Sequence, residues 1–210
     1  MSQICTSPRL SSDTLLYHGQ QDMAATDLTA EIFTECQNKP IKKLILQSLN
    51  ISTIHSDFLK KMNELLSVEI IDSPVECIED CAFSRDPNYP TTMLTIKFKS
   101  VYFEKQFNSR ALVNINRPTE IYLNSPDIFV ANEKAFVNFL NDNPNNKIYF
   151  RYWDAICDCK FAWVYQLREF LKNKLVNQIF CFRAVNQDKS EYPLSFKFLW
   201  TLDPKLFQNC

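Results

Sequence analysis

Glycine is almost absent from this chain of 210 residues, since Gly19 is the only one. An average protein of this length contains about 15 glycines. One glycine cannot build a glycine-rich phosphate loop, a dinucleotide-binding fingerprint or the nucleophile elbow of serine hydrolases. The only two histidines, His18 and His55, exclude the paired-histidine motifs of zinc proteases. These absences exclude many classes of enzyme.

The chain also lacks an excess of charge of one sign. Its 23 Lys and Arg residues nearly balance 24 Asp and Glu residues, for a net charge of −1. A general nucleic-acid-binding protein needs a basic excess, so we expect no nucleic-acid partner. No stretch approaches about 18 consecutive apolar residues, and the first ten residues hold no apolar run typical of a signal peptide. We therefore expect no membrane partner and a cytoplasmic or nuclear location.

What the sequence does contain is a recurring apolar spacing. The frame L-x-x-L-x-L-x-x-N-x-L is matched at four apolar positions by Ile41, Leu44, Leu46 and Ile51 and, 24 residues later, by Leu65, Val68, Ile70 and Val75. Shorter matches follow at Leu94/Ile96/Val101, Ile121/Leu123/Ile128, Ile148/Phe150/Ala155 and Ile179/Cys181/Val185, with a degraded unit at Leu16/His18. In L-x-L, two apolar side chains alternate with a polar one, which is typical of a strand with one buried face.

The residues between these strands must return to the start of the next strand, because parallel strands need a crossover. Helical apolar spacing predicts such returns over residues 26–36, 57–66, 133–141 and 161–175. The sequence therefore predicts an α/β fold: a repeat solenoid with a short-stranded, curved, mostly parallel sheet and helical return segments. An ordinary α/β or α+β domain with a mixed sheet is the alternative.

The spacing also predicts the domain organisation. We expect a flexible tail over residues 1–13 and a single repeat domain over 14–210. The units lie near residues 14–40, 41–64, 65–90, 91–117, 118–144 and 145–175. Residues 176–210 form an atypical C-terminal cap, where the strand-like segments 177–183 and 194–202 indicate a hairpin or last strand that covers the sheet edge.

Residues 41–83 resemble two tandem leucine-rich repeats, and the likeness extends over residues 16–185. The family's asparagine position, which ties successive turns together, holds instead Leu49, Ser73, Lys99, Pro126, Trp153 and Ala184. Residues 135–153, AFVNFLNDNPNNKIYFRYW, resemble the C-terminal substrate-binding regions of nematode F-box proteins. That second resemblance implies a substrate receptor of a ubiquitin ligase with the Skp1–cullin machinery as a partner, although residues 1–40 show no convincing F-box.

The resemblance to leucine-rich repeats implies that residues inside and beside L-x-L face a concave binding surface. The inner column is then Ile45, Glu69, Thr95, Tyr122, Tyr149 and Phe180, and the next column is Gln47, Ile71, Lys97, Asn124, Arg151 and Phe182. Tyr, Phe and Arg are enriched at protein interfaces. The predicted partner-binding residues are therefore Lys97, Tyr122, Tyr149, Arg151, Phe180 and Phe182. Alternatively, this is a strand face covered by a loop or a terminal segment, such as the chain's own C-terminal strand, which would also favour aromatic residues.

The cysteines, at positions 5, 36, 77, 81, 157, 159, 181 and 210, are too sparse for a disulfide scaffold. Without a visible signal peptide, we predict that most are reduced and buried. Cys77-x3-Cys81 and Cys157-x-Cys159 together offer four thiolates to zinc, but three repeat units separate the pairs, so we predict no metal site.

We predict a non-enzymatic module that binds a protein partner and needs no cofactor. Two alternatives stay open. A small enzyme on a mixed α/β domain would use a cysteine with His18 or His55, or carboxylates. An extracellular or host-directed binding protein would have disulfides between Cys77 and Cys81, or at Cys157 and Cys159.

Overall fold

A computed structural model describes residues 13–19, 25–36, 39–84, 92–103, 107–124, 126–151, 154–177, 179–185, 191–207 and 210. The strands are β1 (Thr14–His18), β2 (Thr26–Leu28), β3 (Lys43–Gln47), β4 (Ile51–Ile54), β5 (Ser67–Ile71), β6 (Pro74–Ile78), β7 (Leu94–Lys99), β8 (Tyr102–Phe103), β9 (Thr119–Leu123), β10 (Lys147–Phe150), β11 (Asp154–Cys157), β12 (Phe180–Val185) and β13 (Glu191–Phe198). The α-helices are α1 (Pro126–Ala131), α2 (Glu133–Asp142), α3 (Ala162–Gln166) and α4 (Arg168–Leu171). Short 3-10 helices span Ala30–Cys36, Cys159–Phe161, Leu199–Thr201 and Pro204–Phe207.

Six strands form a wholly parallel sheet in the order β1-β3-β5-β7-β9-β10. The alternation predicted from L-x-L is visible in β3, where Leu44 and Leu46 are fully buried and their neighbours are half-buried. One strand of this sheet lies in each predicted unit from 14–40 to 145–175. The predicted α/β fold with a mostly parallel sheet is confirmed.

The return segments of the first half form a second parallel sheet, β2-β4-β6-β8. The helix predicted over residues 57–66 was wrong, because β4 already occupies part of the return and the remaining residues form only turns. The helix predicted over residues 26–36 was also wrong in its first part, which is β2, while Ala30–Cys36 is a 3-10 helix. Apolar spacing alone did not distinguish a helical return from an extended one.

Helices replace the second sheet in the second half of the chain. The predicted return over residues 133–141 is confirmed by α2, whose apolar face buries Phe136, Phe139 and Leu140. The return over residues 161–175 contains α3 and α4, which meet at Leu167. In the described part of the chain, no helix is long and apolar enough to cross a membrane.

A file of phenylalanine rings runs through the core. Phe33 contacts Phe58 with ring centroids 5.3 Å apart, Phe58 contacts Phe83 at 6.5 Å, and Phe83 contacts Phe98 at 6.3 Å. All four rings are fully buried, and each contact is edge-to-face. Neighbouring rings come from successive strand-and-return segments of the chain. The file therefore holds those segments together by direct aromatic packing.

Buried polar side chains also tie successive turns together. Ser73 Oγ accepts a hydrogen bond of 3.1 Å from the Leu49 amide. Farther along, Asn146 Oδ1 accepts a hydrogen bond of 2.9 Å from the Thr119 amide, and its Nδ2 donates to the Phe139 carbonyl at 2.7 Å. These contacts satisfy backbone groups that burial would otherwise leave unpaired.

The same turn follows three strands of the main sheet and needs no glycine. Ser48, Asp72 and Ser100 directly follow β3, β5 and β7, with left-handed φ values of 54°, 48° and 52°. Gly19 follows β1 at the equivalent position, and its amide donates to the Gln47 carbonyl at 2.9 Å. Serine and aspartate thus take a conformation that favours glycine, and the repeated turn forms in a chain with one glycine.

The C-terminal hairpin is confirmed in the antiparallel pair β12–β13, and its connection over residues 186–190 lies outside the described residues. The sequence predicted that this hairpin covers the edge of the main sheet. Instead it joins β11 in a separate three-stranded sheet, β11-β12-β13. A parallel bridge between Ile148 and Leu175 takes the edge beside β10 instead. Of the predicted tail, only Asp13 is described, and its carbonyl accepts from the Lys42 and Lys43 amides at 2.8 and 3.0 Å.

Candidate functional site

Alternation along the main sheet places half of its side chains opposite the core, on a surface that we call the polar face. Its middle column contains Leu16, Ile45, Glu69, Lys97, Tyr122 and Tyr149. The flanking columns contain Thr14, Lys43, Ser67, Thr95, Glu120 and Lys147 on one side, and His18, Gln47, Ile71, Lys99 and Arg151 on the other.

Two residues of the predicted middle column were wrong, Thr95 and Phe180, and Lys97 stands where the sequence predicted Thr95. For Thr95, the cause is the register of β7, in which Ile96 rather than Leu94 pairs with Val68. A shift of two residues keeps every side chain on its own face of the sheet, because the pleat repeats every second residue. Lys97 therefore stays on the polar face and comes to lie between Glu69 and Tyr122.

The centre of the polar face is a buried carboxylate surrounded by three lysines. Glu69 is only 4% exposed. Its Oε1 lies 3.0 Å from Lys43 Nζ and 3.4 Å from Lys97 Nζ, and its Oε2 lies 2.6 Å from Lys99 Nζ. The lysines come from β3 and β7, on either side of β5. Parallel pairing thus assembles this cluster, which we call the lysine triad, from two strands that are not neighbours.

The lysine triad determines the charge state of Glu69. Burial by itself raises the pKa of the Glu69 carboxyl, but hydrogen bonds and charge from Lys99 and Lys43 outweigh it and lower the pKa to about 2. Glu69 is therefore ionised at neutral pH. One negative charge then stands among three positive charges, which leaves the cluster with a positive surplus.

Beside the triad, Tyr122 and Tyr149 stack across β9 and β10. Their ring centroids are 4.3 Å apart and the ring planes differ by 6°. Both hydroxyls donate to the same carboxylate, Glu120, at 3.1 Å from Tyr122 and 2.9 Å from Tyr149. Lys97 Nζ lies 5.6 Å from the Tyr122 ring centroid, within the range of a cation–π contact. Both rings are thus held in place by contacts within the face.

The tyrosine hydroxyls are held in their protonated form. Burial, followed by the hydrogen bond to Glu120, raises the pKa of Tyr149 to about 12. Burial and Glu120 likewise raise the pKa of Tyr122. Both phenols are therefore hydrogen-bond donors at neutral pH, and Glu120 accepts from each.

The described residues of the C-terminal strand do not bury this row of side chains. Lys97, Tyr122 and Tyr149 are half-buried, and Arg151 is exposed. The Arg151 amide continues the pairing of β10 by donating to the Leu123 carbonyl at 2.8 Å. The strand β13 pairs with β12 and lies in another sheet.

Phe180 does not belong to this row, contrary to the sequence prediction. It lies on β12, pairs in register with Asp154, and packs against Phe198 with ring centroids 4.2 Å apart. The separate three-stranded sheet explains the difference, since Leu175, rather than the predicted Ile179, forms the bridge to Ile148. The backbone of Phe182 also lies in β12, while its side chain lies outside the described residues.

No family model and no curated protein matches this chain. The geometry of the polar face adds three residues to the site that the sequence prediction did not include. Lys43 and Glu120 stand two residues before members of the middle column, and alternation alone would have placed them on the same face. Lys99 was assigned to the asparagine position of the repeat frame, but it lies in β7 two residues after Lys97 and therefore on the same face, where the register pairs it with Ile71.

The cysteine prediction was wrong. Cys157 is bonded to Cys181 and Cys159 to Cys210, and Cys36 is also disulfide-bonded. The parallel pairing of β11 with β12 explains the first bond. It brings the Cys157 and Cys181 Cα atoms to 5.5 Å, a distance suited to a disulfide.

The C-terminal segment forms the second bond by folding back on α3. The Tyr165 ring packs against Phe207 with centroids 5.0 Å apart, and its hydroxyl donates to the Leu202 carbonyl at 3.2 Å. Cys77 and Cys81 are free thiols, so the predicted alternative of a bond between them is not formed. Bonded Cys157 and Cys159 cannot supply thiolates to zinc, and among the described residues no cluster suits a metal ion.

Neither histidine lies in the open cleft that the structure contains. His55 Nδ1 lies 3.2 Å from Glu79 Oε2, and its Nε2 lies 3.8 Å from Asp27 Oδ1. His18 is exposed on β1, at the edge of the main sheet. An open cleft of about 1220 Å³ lies beside α1, α2 and α3, with Cys159 and Cys210 at its wall, and neither histidine lines it.

Proposed function

We propose that this chain is a non-enzymatic protein-binding module, built as a leucine-rich-repeat-like solenoid, whose partner docks on the polar face. The sequential parallel pairing of the main sheet supports the solenoid, because each turn then packs mainly against its neighbours. The observation that carries the function is the row of Lys97, Tyr122 and Tyr149, which stays partly exposed in the middle of this face.

The chemistry of this row suits a protein interface. Tyrosine and arginine are enriched at binding hot spots, and Arg151 is exposed beside the tyrosine pair. Because Glu120 already holds both tyrosine hydroxyls, a partner would order few additional side chains on binding. We propose Lys97, Tyr122, Tyr149 and Arg151 as partner-binding residues, and no step of this recognition requires a cofactor.

The resemblance of residues 135–153 to nematode F-box proteins supports one class of partner. In that reading the polar face receives the protein to be ubiquitinated, and the Skp1–cullin machinery binds elsewhere on the chain. The site of action would then be the cytoplasm or the nucleus.

The disulfides favour a second candidate, an extracellular binding protein that uses the same face. Disulfides persist in oxidising compartments and are rare in the cytosol. Cys157–Cys181 and Cys159–Cys210 therefore support secretion over the ligase reading. Alkylation of thiols in intact cells, before lysis, separates the two candidates: free thiols at all four positions support the cytosolic ligase receptor, and bonded cysteines support the secreted protein.

Affinity purification of the full chain from its own cells tests the binding function itself. We compare the wild-type protein with Tyr149→Ala on the polar face and with Tyr102→Ala on the second sheet, where Tyr102 is 76% exposed. We expect a specific protein partner to be retained by the wild type and by Tyr102→Ala and to be lost by Tyr149→Ala. Co-purified Skp1 and cullin would support the ligase receptor.

Circular dichroism of each variant checks that it is folded before its partners are compared. A partner that Tyr149→Ala retains as well as wild type does would show that docking occurs elsewhere on the molecule. Absence of any specific partner would contradict the proposed function. The cleft beside α1, α2 and α3 would then be the next candidate binding site.

A further inference from the structure

The polar face is strongly positive on a chain that is slightly negative. Its cationic side chains are Lys43, Lys97, Lys99, Lys147 and Arg151, and its carboxylates are Glu69 and Glu120. The whole chain has a net charge of −1. Positive charge is thus concentrated on the surface where we propose that a partner docks, and such asymmetry favours a partner segment of opposite sign.

We infer that the lysine triad binds a carboxylate of an acidic segment in the partner protein, an inference that rests on the proposed docking at this face. The Lys43, Lys97 and Lys99 side chains are 39%, 31% and 41% exposed, whereas the Glu69 side chain between them is 5% exposed. Glu69 therefore contacts the three lysines from the side nearer the sheet, and their partly exposed side chains can contact a ligand on the solvent side. A second carboxylate would offset the remaining positive charge.

Glu69 acts as a positioning residue for this site. Three ammonium groups repel one another, and lysine side chains have many rotamers to lose on binding. The contacts of 2.6 to 3.4 Å to Glu69 hold all three groups together before a ligand arrives. A ligand carboxylate therefore meets donors that are already gathered, and less ordering cost opposes binding.

The geometry of the face also predicts what accompanies the acidic residue. Neighbouring strands lie about 4.8 Å apart, so the middle of the tyrosine pair, about two and a half strand spacings across the sheet, lies about 12 Å from Glu69. An extended peptide covers that distance in three to four residues. We expect an acidic side chain on the triad and an apolar side chain three or four positions away, against the Tyr122–Tyr149 pair.

An acidic protein segment fits this face better than a nucleic acid does. A nucleic acid carries a negative charge at every phosphate, and Glu120 would repel those phosphates that passed beside the tyrosine pair. A peptide with separated carboxylates can place them on the lysines and keep apolar residues beside Glu120 and the tyrosines. The tyrosine hydroxyls are already engaged by Glu120, which leaves ring surface for apolar contact.

Fluorescence anisotropy with the full chain tests this inference. The probe is a fluorescein-labelled peptide of 12 residues with glutamate at two positions and leucine four residues after each, on a Ser/Gly background. A matched peptide has glutamine in place of glutamate. We expect the acidic peptide to bind the wild type, and we expect binding at least tenfold weaker for the glutamine peptide and for Lys97→Gln/Lys99→Gln.

Lys60→Gln/Lys61→Gln is the matched control, because it removes the same charge outside the polar face. It should bind as the wild type does. Melting temperatures are measured first, and Lys97→Gln alone, which leaves Glu69 with Lys43 and Lys99, replaces the double variant if that variant is unfolded. Raising the salt concentration from 50 to about 300 mM should weaken binding, since the contact is between charges near the surface.

Several results would overturn the inference. These are no binding of the acidic peptide at 1 mM, equal binding of the glutamine peptide, or an equal effect of the Lys60/Lys61 control. Binding of a single-stranded DNA of 20 nucleotides or of phosphatidylserine vesicles, lost in Lys97→Gln/Lys99→Gln while the peptide does not bind, would assign the triad to that other ligand.

Partner capture distinguishes this failure from failure of the proposed function. If Tyr149→Ala loses the cellular partner and Lys97→Gln/Lys99→Gln keeps it, the polar face binds a partner but not through an acidic segment. If both variants keep the partner, docking on the polar face itself is wrong.

Discussion

Glu69 Oε2 lies 2.6 Å from Lys99 Nζ, although 30 residues separate the two in the chain. The pairing of β5 with β7 makes this contact, and the pairing of β3 with β5 adds Lys43 to the same carboxylate. The ion pairs at the centre of the polar face therefore depend on the pairing of β3, β5 and β7.

Replacing Glu69 by glutamine should destabilise the protein, because three lysines would lose the charge that holds them together. We expect Glu69→Gln to lower the free energy of unfolding by about 2 kcal/mol, the size of a hydrogen-bonded buried charge contact. Urea unfolding at pH 7 measures it. Glu64→Gln on an exposed turn is the control and should change stability by less than about 0.5 kcal/mol. Equal losses in the two variants would contradict the role of Glu69.

The same contact makes stability depend on pH. The pKa of Glu69 falls from its ordinary value of 4.5 to about 2 on folding. A lowered pKa stabilises the folded state above pH 4.5, and the contribution is lost as the pH falls from about 4.5 towards about 2. Unfolding measured across this range should show a smaller decline in Glu69→Gln than in the wild type. Parallel profiles would show that Glu69 titrates normally.

Ionisation of Tyr149 tests the geometry of the tyrosine pair. Burial and the bond to Glu120 raise its pKa to about 12, so the phenol should ionise well after exposed tyrosines in an ultraviolet titration. Glu120→Gln removes a negative charge beside the phenol and should shift this late step to lower pH. Tyr149→Phe, which should lose the step, identifies it. A titration that Glu120→Gln leaves unchanged would contradict the shared hydrogen bond.

The two described disulfides should differ in their rate of reduction. Cys157 and Cys181 are 1% and 0% exposed, while Cys159 is half-buried and Cys210 is exposed. We expect dithiothreitol to open Cys159–Cys210 first under native conditions, because a thiolate must reach the sulfur that it attacks. Mass spectrometry of alkylated samples taken over time measures the order. Faster reduction of Cys157–Cys181 would contradict the burial of β11 and β12.

Loss of the buried disulfide should also cost stability. Cys157→Ala/Cys181→Ala should lower the free energy of unfolding by about 2–4 kcal/mol, as expected for a native disulfide. Cys77→Ala, which removes a free thiol, is the control and should have a smaller effect. Equal effects would indicate that Cys157 and Cys181 are not bonded in solution.

Gly19 is needed for a steric reason. A Cβ atom on Gly19 would collide with the backbone oxygen of Ser48 and lie 3.0 Å from Leu49 Cδ2. Since a backbone oxygen cannot move aside without disturbing the turn, Gly19→Ala should cost about 1–3 kcal/mol of stability. Ser100→Ala, at the position that directly follows β7, adds no atom and serves as the control. A Gly19→Ala protein that melts at the wild-type temperature would show that this turn can widen.

Alternation made the faces of β3, β5, β9 and β10 predictable from the sequence. Leu44, Leu46, Ile121 and Ile148 are buried as expected, and Ile45, Tyr122 and Tyr149 lie on the polar face. The returns were less predictable, because an amphipathic spacing suits both a helix and a set of turns. Phe58 packs against Phe33 from a turn, whereas Phe136 packs against Phe107 from a helix.

In β3, β5, β9 and β10 the sequence by itself determined which side chains face the core, because a strand's two faces follow from a local period of two residues. In β1 the prediction was wrong by one residue, since Leu15 rather than Leu16 pairs with Leu44 and is buried. Only the tertiary structure decided which residues stand side by side. The register of β7, shifted by two residues from the predicted one, brought Lys97 and Lys99 to Glu69. The pairing of β11 with β12 brought Cys157 to Cys181. Those contacts depend on how far each return segment carries the chain, a length set by packing in three dimensions rather than by local pattern.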